Sequence, residues 1–369
     1  MKQSGRVWNQ TLNEAMVSWG FTRLAPEYCV YYRKSVTGTT VAVVHVDDFL
    51  SASSSKEENE SFKSQMRLKW EISDIGDAHF CVGIAIKRNR DTRTIHLSQT
   101  GLIDKLTAQF GQSDANAVAT PMEPGLKLTR PDLTALSEEE RSYLQTLPYR
   151  SLIGGLIYLA IGTRPDIAYT VQQLSQFLDC YAFEHWNAAI CAIRYLKGTR
   201  TFWLTLSGRN LIKLLGFSDS DWANCPTTRK SVGGYSFTLG SGTISWSARK
   251  QKTVATSSCE AEYVAAFEAA KEALWIRQLL TAIDFKPTNA ITIFCDNNAA
   301  KALSEDPLLH ARVKHIDIKF HFLRECVLRG DITLQHIPSR DNIADIFTKP
   351  LERRKFEKLR SFLGLGEIT

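Results

Sequence analysis

"LIKLLGFSDSDWANCPTTRKSVGGYSFTLGSGTISWSAR" (residues 211–249) holds three short apolar runs, LIKLLGFSD, SVGGYSFTL and TISWSAR, separated by Gly, Pro, Asn and Ser turn residues. That pattern predicts three consecutive strands. The period then changes. Residues 258–281 repeat their apolar positions at helical spacing over a long stretch,. AITIFCD (290–296) reads as a fourth strand, two shorter helices follow, ITLQHI (332–337) reads as a fifth strand, and a basic segment closes with a final helix. Three strands, helix, strand, helices, strand, helix implies a mixed sheet flanked by helices.

Four acids fall at the boundaries of these elements. Asp219 ends the first strand in GFSDSDW. Glu262 lies in the first turns of the long helix in SSCEAEYVAA, where Ser257 and Glu260 are spaced as a capping box,. Asp296 ends the fourth strand in TIFCDNN, and Asp345 in SRDNIADIFTK is expected to open the last helix. In such a sheet the ends of strands one and four are neighbours, and a flanking helix can lean over them. Any one aspartate at a strand end is ordinarily a turn or cap residue; the weight lies in four acids at element boundaries, in this order. Converging on one edge they would repel one another without cations. Two Mg²⁺ ions roughly 4 Å apart would relieve that repulsion, activate a water and stabilise a leaving oxygen.

Upstream, VAVVHVDDFLSA (41–52) carries a second acidic feature, the adjacent Asp47 and Asp48, placed near the end of the second strand of a hairpin read from CVYYRKSVTGTTVAVVHVDDFL (29–50). Adjacent acids at the tip of an apolar strand are costly unless they bind something positive. A nucleotide polymerase uses such a pair to hold magnesium, with a third carboxylate from an earlier strand. Residues 1–46 contain no aspartate and only Glu14 and Glu27, so no complete nucleotide site is expected. Around the pair, residues 8–20 and 55–70 read as helices, 80–99 as a second hairpin and 100–110 as another helix. Residues 111–148, with Pro121, Pro124, Pro131 and Pro148 and the acidic SEEE, read as a linker,. YRSLIGGLIYLAIGTRPDIAYTVQQLSQFL (149–178) and HWNAAICAIRYLKGT (185–199) form an apolar helical connector without a catalytic group.

The whole-chain numbers narrow the classes. At 369 residues, 44% hydrophobic and 23% charged, the chain has the composition of a globular protein with room for two or three domains. No stretch approaches the ~18 apolar residues of a membrane span, and MKQSGRVWNQ lacks the apolar core of a signal peptide,. Eight cysteines without C-x-x-C spacing argue against a zinc knuckle and a disulfide framework. A net charge of +6 permits a polyanionic partner, with KRNRDTR (87–93) and KPLERRKFEKLR (349–360) the densest basic runs,. His310, His315 and His321 lie close together, but their spacing does not share a helical face and no cysteine pair joins them, so packing or nucleic-acid contact is expected rather than zinc.

These residues resemble a known family. GFSDSDWANCPTTRKSVGGYSF…SSCEAEYVAAFEAAKEALWIRQLL and CDNNAAKAL…HARVKHIDIKFHFLRE…IPSRDNIADIFTKPL are similar to the ribonuclease H domain of copia-type LTR retrotransposon Pol polyproteins over residues 205–360. KQSGRVWNQTL and VHVDDFL are similar to that family's reverse transcriptase palm, DIGDAHFCVGIAIKRNRDTRTIHLSQ to its thumb, and PYRSLIGGLIYLA…TRPDIAY…HW…RYLKGT to its connector. The resemblance implies a mixed α+β chain: a truncated palm and thumb (1–110), a linker and helical connector (111–204), and a ribonuclease H domain with a five-stranded mixed sheet (205–369). It implies two-metal hydrolysis of the RNA strand of RNA–DNA hybrids, with Asp219, Glu262, Asp296 and Asp345 holding two Mg²⁺ ions, for which Mn²⁺ can substitute. Asp47 and Asp48 become a vestigial polymerase site, its first aspartate expected before Met1. Arg340, Lys349, Arg353 and Arg354 become nucleic-acid contacts. The partners implied are the hybrid, the missing front of the polymerase and other element-encoded proteins, with no membrane; the location implied is intracellular, in cytoplasm, nucleus or virus-like particles. Two departures stand: His45 replaces a more usual tyrosine, and the loop IPSRDN has no histidine beyond His336. They leave open a non-catalytic nucleic-acid-binding relic, or a fragment of a larger polymerase.

Overall fold

A computed structural model of the chain describes residues 3–209, 212–297 and 317–368, with backbone alone for 317–320. The chain divides into two compact units, one of residues 1–78 with 274–288, the other of residues 79–273 with 289–369.

In the first unit, α1 (Ser4–Ser18) is followed by an antiparallel sheet of β1 (Thr22–Arg23), β2 (Val30–Lys34), β3 (Thr39–His45) and β4 (Asp48–Ser53), in that order. α2 (Lys56–Lys69) starts at Ser55, whose hydroxyl accepts from Glu58 N at 3.1 Å,. Leu12 and Met16 of α1, Tyr31 and Ala42 of the sheet, and Phe62 and Met66 of α2 form its core. Trp70 closes that core edge-on against both Trp8 and Trp19. The hairpin from the sequence runs one strand further than expected. β3 and β4 are joined by Val46 and Asp47, with His45 opposite Asp48, so Asp47 lies in a tight turn between two strands and Asp48 opens β4.

The second unit contains two sheets and the helices between them. β5 (Phe80–Cys81), β6 (Ile84–Asn89) and β7 (Thr94–Ser98) precede α3 (Thr100–Gln109), α4 (Glu138–Thr146), α5 (Tyr149–Gly162), α6 (Ala168–Leu174) and α7 (Phe183–Gly198). β8 (Trp203–Ser207) pairs antiparallel with β7, so one sheet has the order β5-β6-β7-β8, extended on the far edge by β14 (Leu365–Gly366). The boundary expected between residues 204 and 205 falls inside β8. Residues 111–148, loop-like in composition, are packed: Met122 and Leu128 are buried in the same core as α5 and α7. The SEEE run opens α4 with a capping box, Ser137 Oγ accepting from Glu140 N at 3.2 Å and Glu140 Oε2 from Ser137 N at 2.9 Å,.

The other sheet is the mixed, five-stranded one that the sequence predicts. β9 (Leu214–Asp221), β10 (Val232–Leu239) and β11 (Gly242–Lys250) form an antiparallel meander. β12 (Ile291–Cys295) then pairs parallel with β9, and β13 (Ile332–His336) parallel with β12, giving the order β11-β10-β9-β12-β13. α8 (Ser258–Ala282) crosses between β11 and β12 in sequence; of the two shorter helices expected before β13, α9 (Asp317–Leu328) is described, and the other lies outside the described residues. Phe217, Val232 and Phe347 share one apolar core with Leu152, Leu156 and Tyr195 of the connector. Trp246 Nε1 donates to Ala160 O at 2.8 Å across that contact.

Two local expectations are corrected. Asp345 does not open the last helix; it sits in a separate 3-10 turn, Ile343–Phe347. Lys349 precedes Pro350, whose ring disfavours helical backbone at the residue before it, so the chain breaks there and restarts as α10 (Arg353–Phe362). At the start of α8, Ser257 Oγ accepts from Glu260 N at 3.2 Å, but Glu260 Oε2 accepts from Thr256 N at 2.7 Å rather than from Ser257. The cap is shared over two residues, because Thr256 also offers a hydroxyl to the same oxygen.

Candidate active site

The parallel pairing of β9 with β12 sets Phe217 opposite Phe294. Asp219 and Asp296 each follow two residues later, and the two-residue period of a strand returns them to the same face. Glu262, in the second turn of α8, completes the group: oxygens of Asp219, Glu262 and Asp296 lie within 4.8 Å of one another. Asp219 and Glu262 are buried and Asp296 is half-buried. Among the described residues this is the one group of three or more His, Cys, Asp or Glu side chains close enough to share an ion.

Hydrogen bonds orient the three acids without satisfying them. Glu262 Oε1 accepts from Ser220 N at 3.1 Å, while its Oε2 is buried with no hydrogen-bond partner. Asp296 Oδ2 accepts from Ser339 Oγ at 2.5 Å, and Asp219 Oδ2 from Thr348 Oγ1. Burial pushes the Asp219 carboxyl up to about 7; nearby Lys349 works against this, and Asp345 and Asp296 add to it. Burial also raises Glu262 well above the ordinary glutamate value, reinforced by Asp219 and Asp296. Burial and the crowding of like charges both favour the protonated forms of these acids,. The site's all-oxygen donor set and the unpartnered Glu262 oxygen suit a hard divalent ion such as Mg²⁺ or Mn²⁺.

The fourth predicted acid stands beside this group in different company. Asp345 is fully buried; its Oδ1 is 2.8 Å from Lys349 Nζ, and its Oδ2 pairs with Lys355. Lys349 Nζ is also 3.9 Å from Asp219 Oδ2. Burial alone would depress the Lys349 ammonium, but Asp219 and Asp345 outweigh it and hold it above the ordinary lysine value. The turn bearing Asp345 is fixed to the sheet by Asn342, whose Nδ2 donates to Ser218 O at 2.9 Å and whose Oδ1 accepts from Ala344 N at 3.1 Å. It can come this close because Gly234, paired with Asp219 in register, has no Cβ; one built there would lie 2.5 Å from Phe347 Cβ.

The remaining predicted residues are dispersed. Arg340 and Arg353 are exposed, with ion pairs to Asp341 at 3.4 Å and Glu357 at 2.9 Å; Arg354 is exposed. Lys349, expected on the nucleic-acid surface, turns inward to the carboxylates. Asp47 and Asp48 are exposed at their hairpin. His310 and His315 lie outside the described residues, and His321 is exposed. Sequence reasoning missed Lys355, Thr348, Asn342 and Ser339. A signal existed for the lysine role, since Asp345 and Lys349 are four residues apart, the spacing of a local ion pair,; Thr348 and Ser339 left none.

The chain is similar to known proteins over its whole length. A family model described as "Reverse transcriptase (RNA-dependent DNA polymerase)" matches residues 1–124. The retrovirus-related Pol polyprotein from transposon TNT 1-94 of Nicotiana tabacum is 34% identical over 99% of this chain and 27% of its own length. The Pol polyprotein from transposon RE1 of Arabidopsis thaliana is 34% identical over 100% of this chain and 24% of its own length. Among solved structures, the ribonuclease H from Halobacterium salinarum aligns with a TM-score of 0.28 at 17% identity, covering 37% of this chain and 94% of that one. This chain spans about a quarter of the length of the two polyproteins. It belongs to the family of copia-type, retrovirus-related retrotransposon Pol polyproteins.

Proposed function

We propose that this chain hydrolyses the RNA strand of RNA–DNA hybrids at Asp219, Glu262 and Asp296, with Asp345 as the fourth acid of a site for two divalent ions. The observation that carries the reading is the convergence of three carboxylates from β9, α8 and the end of β12 within 4.8 Å, one buried oxygen of Glu262 left unpartnered. Asp219, Glu262 and Asp296 would hold the ion. The chemistry it supplies when bound is neutralisation of charge on a phosphate and a lowered pKa for water.

The protein's own contribution is positioning. Ser220 N and Ser339 Oγ fix the two acids on either side of Asp219, so the carboxylates are in place before substrate arrives. None of these groups reads a base. Selection for a hybrid then rests on helix shape and on the 2′-hydroxyl, and affinity rests on phosphate contacts from exposed Arg340, Arg353 and Arg354, which makes it salt-sensitive. In this reading residues 1–110 derive from a polymerase palm and thumb, 111–204 from the connector, and 205–369 carry the hydrolysis.

The same proposal assigns no independent DNA synthesis to Asp47 and Asp48. No third acid, histidine or cysteine among the described residues joins them in a metal-sized group. Extension of a primed RNA template by this chain alone would refute that part.

The main test is cleavage of a labelled RNA–DNA hybrid in Mg²⁺ by the full chain and by its Asp296→Asn variant. Cleavage lost in the variant supports the proposal. A folded chain that binds the hybrid without cutting it is a non-catalytic relic.

A further inference from the structure

The four acids are unequally supplied with positive charge. Glu262 and Asp296 have no ion-pair partner among the described residues; Glu262 Oε2 is buried without a hydrogen-bond partner, whereas Asp345 Oδ1, which likewise accepts no hydrogen bond, is ion-paired. On the other side, the space between Asp219 and Asp345 already holds a cation: Lys349 Nζ lies 2.8 Å from Asp345 Oδ1 and 3.9 Å from Asp219 Oδ2, bridging the two carboxylates. Lys355 neutralises the remaining Asp345 oxygen.

A lysine suits a removable plug better than an arginine would. Its ammonium is a compact point charge on a flexible four-carbon stem, without the planar fork that locks a guanidinium onto a carboxylate. The Lys349 side chain is 35% exposed, so it has a path to solvent, whereas Asp345 has none. Asp345 lies within, and Lys349 just after, a turn that Asn342 pins to β9, which keeps the ammonium at this position while its stem stays free to move.

We propose that Lys349 occupies the second cation position in the free protein. The chain alone then binds one divalent ion, at Asp219, Glu262 and Asp296, and Lys349 must swing out before a second ion can enter between Asp219 and Asp345. This rests on the assignment of the acids as a metal site, and makes Lys349 a positioning residue that sets ion stoichiometry.

The test needs no substrate. Metal-free full-length chain is titrated with Mn²⁺, and free Mn²⁺ is followed by electron paramagnetic resonance, for the wild type, Lys349→Met, Lys349→Arg and Asp296→Asn, each checked for folding by circular dichroism. The expected result is one ion in the wild type and in Lys349→Arg, and two in Lys349→Met. Two ions in the wild type at the Mn²⁺ concentration that gives Lys349→Met its second, or one in folded Lys349→Met, overturns the proposal. Unchanged binding by Asp296→Asn would instead overturn the metal site itself, which separates the two failures. Should Lys349→Met not fold, amine labelling of the wild type read by mass spectrometry decides: labelling of Lys349 is expected to accelerate as Mn²⁺ passes from one equivalent to large excess, and a flat rate overturns the displacement.

Discussion

Phe217 and Phe294 stack across the β9–β12 pairing with ring centroids 5.3 Å apart and 26° between planes, directly behind the two aspartates that follow them on the same face. The pair fixes the relative height of strands from distant parts of the sequence, and so the separation of Asp219 and Asp296. Replacing the buried ring by Phe217→Ala should cost about 3 kcal/mol of stability, the low end for such truncations. Urea unfolding checks this, and hybrid cleavage should fall with it. Unaltered stability would show that the stack does not hold the strands.

The protonation of Asp219 gives a pH signature. Its carboxyl is raised by burial from 3.8 to about 7 in the folded state. Between those values the folded chain binds more protons than the unfolded one, so this group's contribution to stability declines as pH rises through that window. Metal-free chain should therefore lose melting temperature from pH 4 to pH 7 through this group, and Asp219→Asn should flatten that slope. Added Mg²⁺ should raise the melting temperature more at pH 8 than at pH 5, since protons compete for the same oxygens. Equal stabilisation at both would contradict the raised carboxyl.

Asn342 is the link between the strand of Asp219 and the turn of Asp345. Asn342→Ala leaves the buried Ser218 carbonyl without its side-chain donor and the Ala344 amide without its cap. It should destabilise by about 2 kcal/mol and lower cleavage more than it lowers hybrid binding. A variant that cleaves normally would show that the turn holds its place without this anchor.

Val46, in the turn before Asp47 and Asp48, has φ of 58° and is 69% exposed. A β-branched residue is strained there, and little burial is at stake. Val46→Gly should raise stability by about 1 kcal/mol while leaving hybrid cleavage unchanged. A lower melting temperature would show that the hairpin relies on the valine side chain.

Much of this architecture is visible in the sequence because it is carried by period. The apolar runs LIKLLGFSD and SVGGYSFTL and the helical spacing after residue 258 mark elements that enter a core. Asp219 and Asp296 were readable for a related reason, since each sits where an apolar run stops, whereas Glu262 lies in the second turn of a helix and Asp345 inside a 3-10 turn. What escaped depends on tertiary contacts without a period. Met122 and Leu128 lie in a proline-rich stretch that reads as linker, and only the connector helices packed against them make them core. Asp345 looked like a helix start until Pro350 is given its weight. Lys349 reads as a phosphate contact because charge alone does not reveal direction; the carboxylates it faces come from Asp345, four residues away, and from Asp219, 130 positions away.

The shortest strand has a practical consequence. β14, two residues long, pairs Leu365 with Leu204 and Gly366 with Trp203, and nearby Thr205 N donates to Gly364 O at 2.8 Å. It covers the outer edge of β8, the kind of open edge that otherwise recruits foreign strands. A recombinant fragment begun at residue 205 would start in the middle of that seam, discarding Trp203 and Leu204 and leaving the last residues with nothing to zip onto. Biochemists wishing to handle the hydrolytic half alone are better served by starting near residue 79, where the sheet of β5 to β8 is kept whole.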